Sequence, residues 1–145
     1  MRVLCITSVF IICIIFSPLL FAKTSYGVEI RIISASMNGN HIDQTLRPLI
    51  KDLKSMPFKK YKQLDYIKRR LSENETISIN FPGKKRRTFK VTSKGFINNS
   101  LNLELQISAL SFKTSVKIPS NGTLIVGGPK IDGGIILFYI TARNL

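Results

Sequence analysis

Residues 101–118, LNLELQISALSFKTSVKI, decide the fold class. Leu101, Leu103, Leu105 and Ile107 alternate with Asn102, Glu104, Gln106 and Ser108. After Ala109 the phase flips: Leu110, Phe112, Thr114, Val116 and Ile118 take one side, and Ser111, Lys113, Ser115 and Lys117 take the other. A period of two marks half-buried strands, because successive side chains point to opposite faces. A phase flip with a tight turn over 108–111 lets both apolar faces meet one core, so the stretch reads as a hairpin. On its polar side Glu104 is expected to pair across the strands with Lys113 or Lys117.

The same period extends outward in both directions. Ile77, Ile79 and Phe81 alternate with Thr76, Ser78 and Asn80, and Phe89 and Val91 alternate with Lys90 and Thr92. The last strands are 124–126 and 135–140, the second apolar on both faces and therefore predicted to be central. Between them, residues 127–134 carry glycine pairs at each end and read as a hairpin loop. Its candidate recognition residues are Gly127, Gly128, Lys130, Asp132, Gly133 and Gly134. The loop lacks the Gly-Lys-Ser/Thr ending of a phosphate loop. At the other end, Val28, Ile30 and Ile32 open a short strand closed by the turn cluster Asn38-Gly39-Asn40.

One segment breaks the period. Ile42, Leu46, Leu49, Ile50 and Leu53 recur at helical spacing, with Asn40 or Asp43 available as a cap. Pro48 removes a backbone donor, which predicts a loose first turn and then a firm helix over 48–56. The expected fold is mainly β (α+β): one N-terminal amphipathic helix packed on an antiparallel β-sandwich or partly rolled meander of six to eight strands.

Arg2, the uncharged run 3–22 and the small residues after it read as a secretory signal. Ser25 and Gly27 satisfy a cleavage site, with Leu20 and Ala22 as a second choice, so the expected division is a signal over 1–27 and one domain over 28–145. An uncleaved segment would instead anchor the chain, since 3–22 is long enough to span a bilayer. Cys5 and Cys13 both lie in this segment, so a domain beginning at Val28 has no thiol. That excludes Cys-based zinc sites, thiol nucleophiles and disulfides in the domain.

The chain carries 22 Lys and Arg against 8 Asp and Glu, a net charge of +14. Thirteen of the basic residues fall between Lys54 and Lys94, opposed there only by Asp65, Glu73 and Glu75. Lys68, Arg69, Arg70, Lys84, Lys85, Arg86, Arg87 and Lys90 are the polyanion-binding candidates. If 61–71 pairs with 75–81 or 86–94, the two basic runs merge into one patch, attracting polyanions at long range and weakening with salt. Tyr61, Tyr66, Phe81 and Phe89 are interleaved with these charges and would stack on a ligand wherever they are exposed. The plainer reading is that lysines on edges and loops keep strands from aggregating and the chain soluble.

No catalytic motif is present. The one histidine, His41, rules out a site with two imidazoles, and a surface position is its ordinary reading. Eight acids, most beside basic residues, leave no isolated carboxylate pair for glycoside hydrolysis. Neither a metal nor a cofactor is implied. Asn74, Asn98 and Asn121 begin glycosylation patterns too short to carry an assignment.

The run Asn121-Gly-Thr-Leu-Ile-Val-Gly-Gly, followed by a loop and an apolar strand, resembles a segment of the β-domain of bacterial outer-membrane secretins. It covers about a seventh of the chain, and the other secretin features are absent. The resemblance implies a place in a bacterial envelope assembly.

The reading that follows is a small, non-enzymatic protein, exported to the periplasm or beyond the cell, whose basic face contacts an anionic partner. An acidic protein, an anionic lipid or an anionic cell-surface polymer would fit, while export sends the chain away from nucleic acid. The alternative is an accessory subunit of an envelope secretion or surface-assembly machine, making contact through its apolar strands or residues 127–134. A hydrolase is the remote third reading.

Overall fold

The computed structural model describes residues 25–83 and 87–143. Residues 1–24 of the expected 1–27 signal lie outside the described residues, as do Lys84, Lys85 and Arg86. The chain is mostly β, in two antiparallel-rich sheets, with a single short α-helix among the described residues.

In chain order the strands are β1 (Ser25–Ser36), β2 (His41–Ile42), β3 (Lys60–Ser72), β4 (Thr76–Phe81), β5 (Arg87–Ile97), β6 (Ser100–Ile107), β7 (Phe112–Pro119), β8 (Thr123–Ile131) and β9 (Gly134–Arg143). The first sheet has the order β2-β3-β1-β9-β8, the second β4-β5-β6-β7. All ladders are antiparallel except the short β2–β3 pair. The second sheet is thus a meander inserted between β3 and β8 of the first.

The 101–118 hairpin forms as its pattern demands. Leu101, Leu103, Leu105 and Ile107 are buried on β6, and Ile118 is buried on β7. Ser111 closes the turn in the left-handed region (φ 49°), and Leu110 is left exposed in that turn instead of facing inward. Lys113 Nζ lies 3.3 Å from Glu104 Oε1, the expected cross-strand pair.

The apolar phases of both sheets share one core. Val28, Ile30 and Ile32 on β1 and Ile136, Phe138 and Ile140 on β9 pack with Ile77, Phe89, Val91 and the β6 leucines. At its centre Phe138 stacks on Phe89 (centroids 4.0 Å apart) and meets Phe81 edge-on at 5.3 Å. A second cluster lies on the other face of β1 and β9, where Ile33, Ala35, Leu137 and Tyr139 pack with Leu46, Leu53 and Tyr61. This explains why β9 is apolar on both faces: it lies between β1 and β8, buried from above and below.

Four expectations are corrected. The predicted 48–56 helix is a 3-10 helix, Gln44–Leu49, running into a one-turn α-helix, α1 (Ile50–Lys54). Pro48 sits inside the 3-10 part, where its missing N–H breaks an α-type ladder. Asp43 caps this start, its Oδ1 accepting from the Thr45 backbone N–H at 3.1 Å and from the Thr45 hydroxyl at 3.0 Å.

The strands number nine among the described residues, β2 being only two residues long. Residues 127–134 are not a loop: β8 continues to Ile131 with a bulge between Gly127 and Lys130, and only Asp132 and Gly133 turn the chain. Gly128 and Gly134 are required by close packing, since a Cβ on Gly128 would lie 2.7 Å from the Phe138 ring and one on Gly134 would collide with the Ala35 carbonyl oxygen.

Finally, β3 pairs with β1 and β2, and not with β4 or β5. The chain crosses to the second sheet after Ser72, so the expected pairing of 61–71 does not form. β1 itself begins at Ser25, and Tyr26, assigned above to the signal, stacks on Phe96 with centroids 4.7 Å apart.

Candidate functional site

The topology decides which cations meet. On the outer face of the first sheet, away from the shared core, side chains at β3, β1 and β9 fall into rows set by register. Arg70 opposes Gly27, which opposes Arg143; one row along, Lys68 opposes Glu29, which opposes Thr141; next, Tyr66 opposes Arg31, which opposes Tyr139. The alternation of Val28, Ile30 and Ala142 into the core sends Gly27, Glu29, Arg31 and Arg143 outward. The result is a cleft of about 340 Å³ lined by Gly27, Val28, Glu29, Lys68, Arg69, Arg70 and Arg143.

Glu29 is the one acid in this cleft. It is nearly buried, and its Oε1 accepts from Lys68 Nζ at 3.4 Å and from Arg143 Nε at 3.3 Å. One carboxylate between two cations, with Arg70 beside them and no carboxylate within salt-bridge distance of it among the described residues, leaves this face positive; Arg69, in register with Val28, projects from the opposite face of β3. Arg31, two residues from Glu29, places its guanidinium 4.2 Å from the Tyr66 ring centroid and donates to Gln63 Oε1 at 2.6 Å. Of the four aromatics interleaved with the charges only Tyr66 is exposed, and Arg31 already stacks on it; Tyr61, Phe81 and Phe89 belong to the core.

The remaining candidates lie elsewhere. Arg87 donates to the Lys130 carbonyl oxygen at 3.4 Å, and these two line a larger cleft of about 650 Å³ with Leu64, Pro82, Gly83, Ile131 and Asp132. Arg87 therefore joins the 127–134 candidates and not Lys68, Arg69 and Arg70. Leu64 marks this second cleft on β3, four to six residues before the basic run, which at strand spacing is roughly 13–20 Å away. Among the described residues, Arg87 of the second basic run thus lies apart from Lys68 and Arg70, and Lys84, Lys85 and Arg86 lie outside the described residues.

Lys90 stands exposed on the outer face of the second sheet, in a row with Ser78, Gln106 and Lys113. Gly127 and Gly133 meet no other residue closely, while Gly128 and Gly134 are packing positions. His41 is exposed on β2.

Sequence reasoning missed Arg143, Glu29 and Gly27. Arg143 belonged to a nearly charge-balanced tail, and only the β1–β9 ladder carries it to Arg70. The polar phase of Val28-Glu-Ile-Arg-Ile was the available signal for Glu29.

Two tyrosines on this sheet have hydroxyls pushed above their ordinary value of 10.0. Burial is the main cause for Tyr61, whose hydroxyl donates to the Leu53 carbonyl at 2.7 Å. Burial also leads for Tyr139, reinforced by its 2.7 Å hydrogen bond to Asp52 Oδ2. Asp43 is held below its ordinary value by the Thr45 backbone N–H, then by the Thr45 hydroxyl. Among the described residues no cluster of three His, Cys, Asp or Glu is placed to hold a metal ion, and no helix is long and apolar enough to cross a membrane. Comparison of the chain with protein-family models, with curated proteins and with solved structures found no match.

Proposed function

We propose that this chain is a small, non-catalytic exported protein, a two-sheet sandwich with a short helical segment on one outer face, that binds an anionic partner through its basic surface. The observation that carries the reading is the convergence of Lys68, Arg70 and Arg143 on one face, opposed by the single acid Glu29. Cations gathered in a concave surface focus their field and raise the local concentration of anions. Lysines spread over edges for solubility alone would have no reason to converge from β3 and β9 on the same row.

The partner class is an acidic protein, an anionic lipid surface or an anionic cell-surface polymer. Retention of the purified protein on heparin and on anionic vesicles tests the reading. Binding should be lost by about 0.5 M salt, where the screening length falls to about 4 Å. Absence of retention at low salt on both supports overturns it. A co-purifying partner that stays bound in high salt would instead favour an accessory subunit of an envelope assembly.

A further inference from the structure

We propose that the row Arg70–Gly27–Arg143 is a binding site for one tetrahedral dianion, a phosphoryl group of the phosphomonoester type. The inference rests on the anionic-partner reading and sharpens it from a diffuse field to a defined site. Arg70 and Arg143 lie on strands either side of β1, in register with Gly27. Two inter-strand spacings separate their backbones by roughly 9.6 Å. Both side chains leave the same face, and between them the sheet carries no side chain at all. Any other residue at position 27 would place a side chain on this face, between the strands that carry Arg70 and Arg143. Glycine contributes no side chain between the two arginines in this row.

The neighbouring row supplies the electrostatics. Glu29 Oε1 lies 3.3 Å from Arg143 Nε, a contact that leaves the two terminal nitrogens of that guanidinium outside the pair. The same carboxylate holds Lys68 at 3.4 Å, so Lys68 stays beside the row and its charge is largely matched. With Glu29 and Lys68 set against each other, Arg70 and Arg143 present two positive charges, which match a dianion better than a carboxylate. Planar guanidinium forks also suit the paired oxygens of a phosphoryl group, each donating two parallel N–H bonds. Glycine is otherwise a poor strand residue, since it weakens the ladder and packs nothing.

The test titrates inorganic phosphate, sulfate and acetate at matched ionic strength into the protein beginning at Lys23, following backbone amide shifts by NMR. Phosphate should shift the amides of Gly27, Arg70 and Arg143 in a saturable way, sulfate less tightly and acetate without saturation. Gly27→Val keeps every charge and is a good strand residue, and it should weaken phosphate at least about tenfold. Arg70→Lys keeps the charge but removes the fork, and it should weaken phosphate while leaving the fold intact.

Vesicles of phosphatidic acid, competed with free phosphate, distinguish a lipid headgroup from a soluble source. Phosphate affinity unchanged in both variants, or no preference for phosphate over acetate, overturns the site even where heparin retention persists. Loss of heparin and vesicle retention in the unaltered protein is a different outcome, and it overturns the parent reading.

Discussion

A domain that begins at Val28 should be measurably weaker than one that begins at Lys23. The shorter chain lacks Ser25, Tyr26 and Gly27, which pair with Ser72, Leu71 and Arg70 on β3, while Gly27 also faces Arg143 on β9. It loses the stack of Tyr26 on Phe96 at 4.7 Å, worth about 1 kcal/mol beyond area burial. It also loses the partial burial of the Tyr26 ring, about another 1 kcal/mol, and two or three ladder hydrogen bonds at about 1 kcal/mol each. Against this stands the conformational entropy no longer spent on ordering three residues, about 1 kcal/mol each at the low end. The net loss is about 1–2 kcal/mol, or roughly 4–8 °C in Tm for a domain of this size. Urea unfolding of the two chains, with Tyr26→Ala in the longer one as an intermediate, gives the comparison. A difference below about 0.3 kcal/mol would refute the place given to these residues in β1. The same experiment bears on the proposed signal, because cleavage after Ala22 would preserve the strand whereas cleavage after Gly27 would cut it; the mass of the protein isolated from its native cell reads whether and where it is cut.

Phe138→Ala removes the ring shared by Phe89 and Phe81 at the centre of the core and should cost about 3–5 kcal/mol by denaturant titration. Gly134→Ala drives a methyl group into the Ala35 carbonyl and should cost at least about 1 kcal/mol, whereas Gly127→Ala, which meets nothing, should be nearly neutral. Alkaline stability should reflect the two raised tyrosines: their contribution is complete below pH 10.0, the unfolded value, and is lost as the pH rises through their higher folded values. The double variant Tyr61→Phe, Tyr139→Phe should therefore be weaker at pH 7, lacking two hydrogen bonds, but fall less steeply above pH 10, as pH-stepped thermal melts would record.

Much of this fold is written locally. The alternation over 101–118 specified two strands, their turn and the Glu104–Lys113 pair because a half-buried strand leaves a strict period of two. The continuous apolar run of β9 announced burial on both faces for the same reason. Legibility failed where a non-local partner decided the outcome. Nothing within 60–72 says that it pairs with β1 instead of β4, and that one pairing separates Arg87 from Lys68, Arg69 and Arg70. The glycines of 127–134 looked like loop punctuation, but two of them are demanded by Phe138 and Ala35, which are distant in sequence or on another strand. The turn at Asn98 and Asn99, both at positive φ (52° and 59°), was legible in principle, since a two-residue hairpin turn of this hand favours asparagine. The candidate site was half legible: its β3 cations stood out as a run, whereas Gly27, Glu29 and Arg143 became members only through the β3-β1-β9 register.

The proposed function requires that location, and not total charge, set any anion affinity of this protein. Two variants of equal charge test it directly: Arg70→Ser with Arg143→Ser, in the cleft, and Lys90→Ser with Lys117→Ser, on the outer face of the second sheet. Polyanion affinity measured across a salt series should fall by about tenfold or more in the first, with a salt slope smaller by about two, and stay close to the unaltered protein in the second. Equal losses in both would mean that the basic charge acts as a diffuse field, and the cleft between β3 and β9 would have no special role.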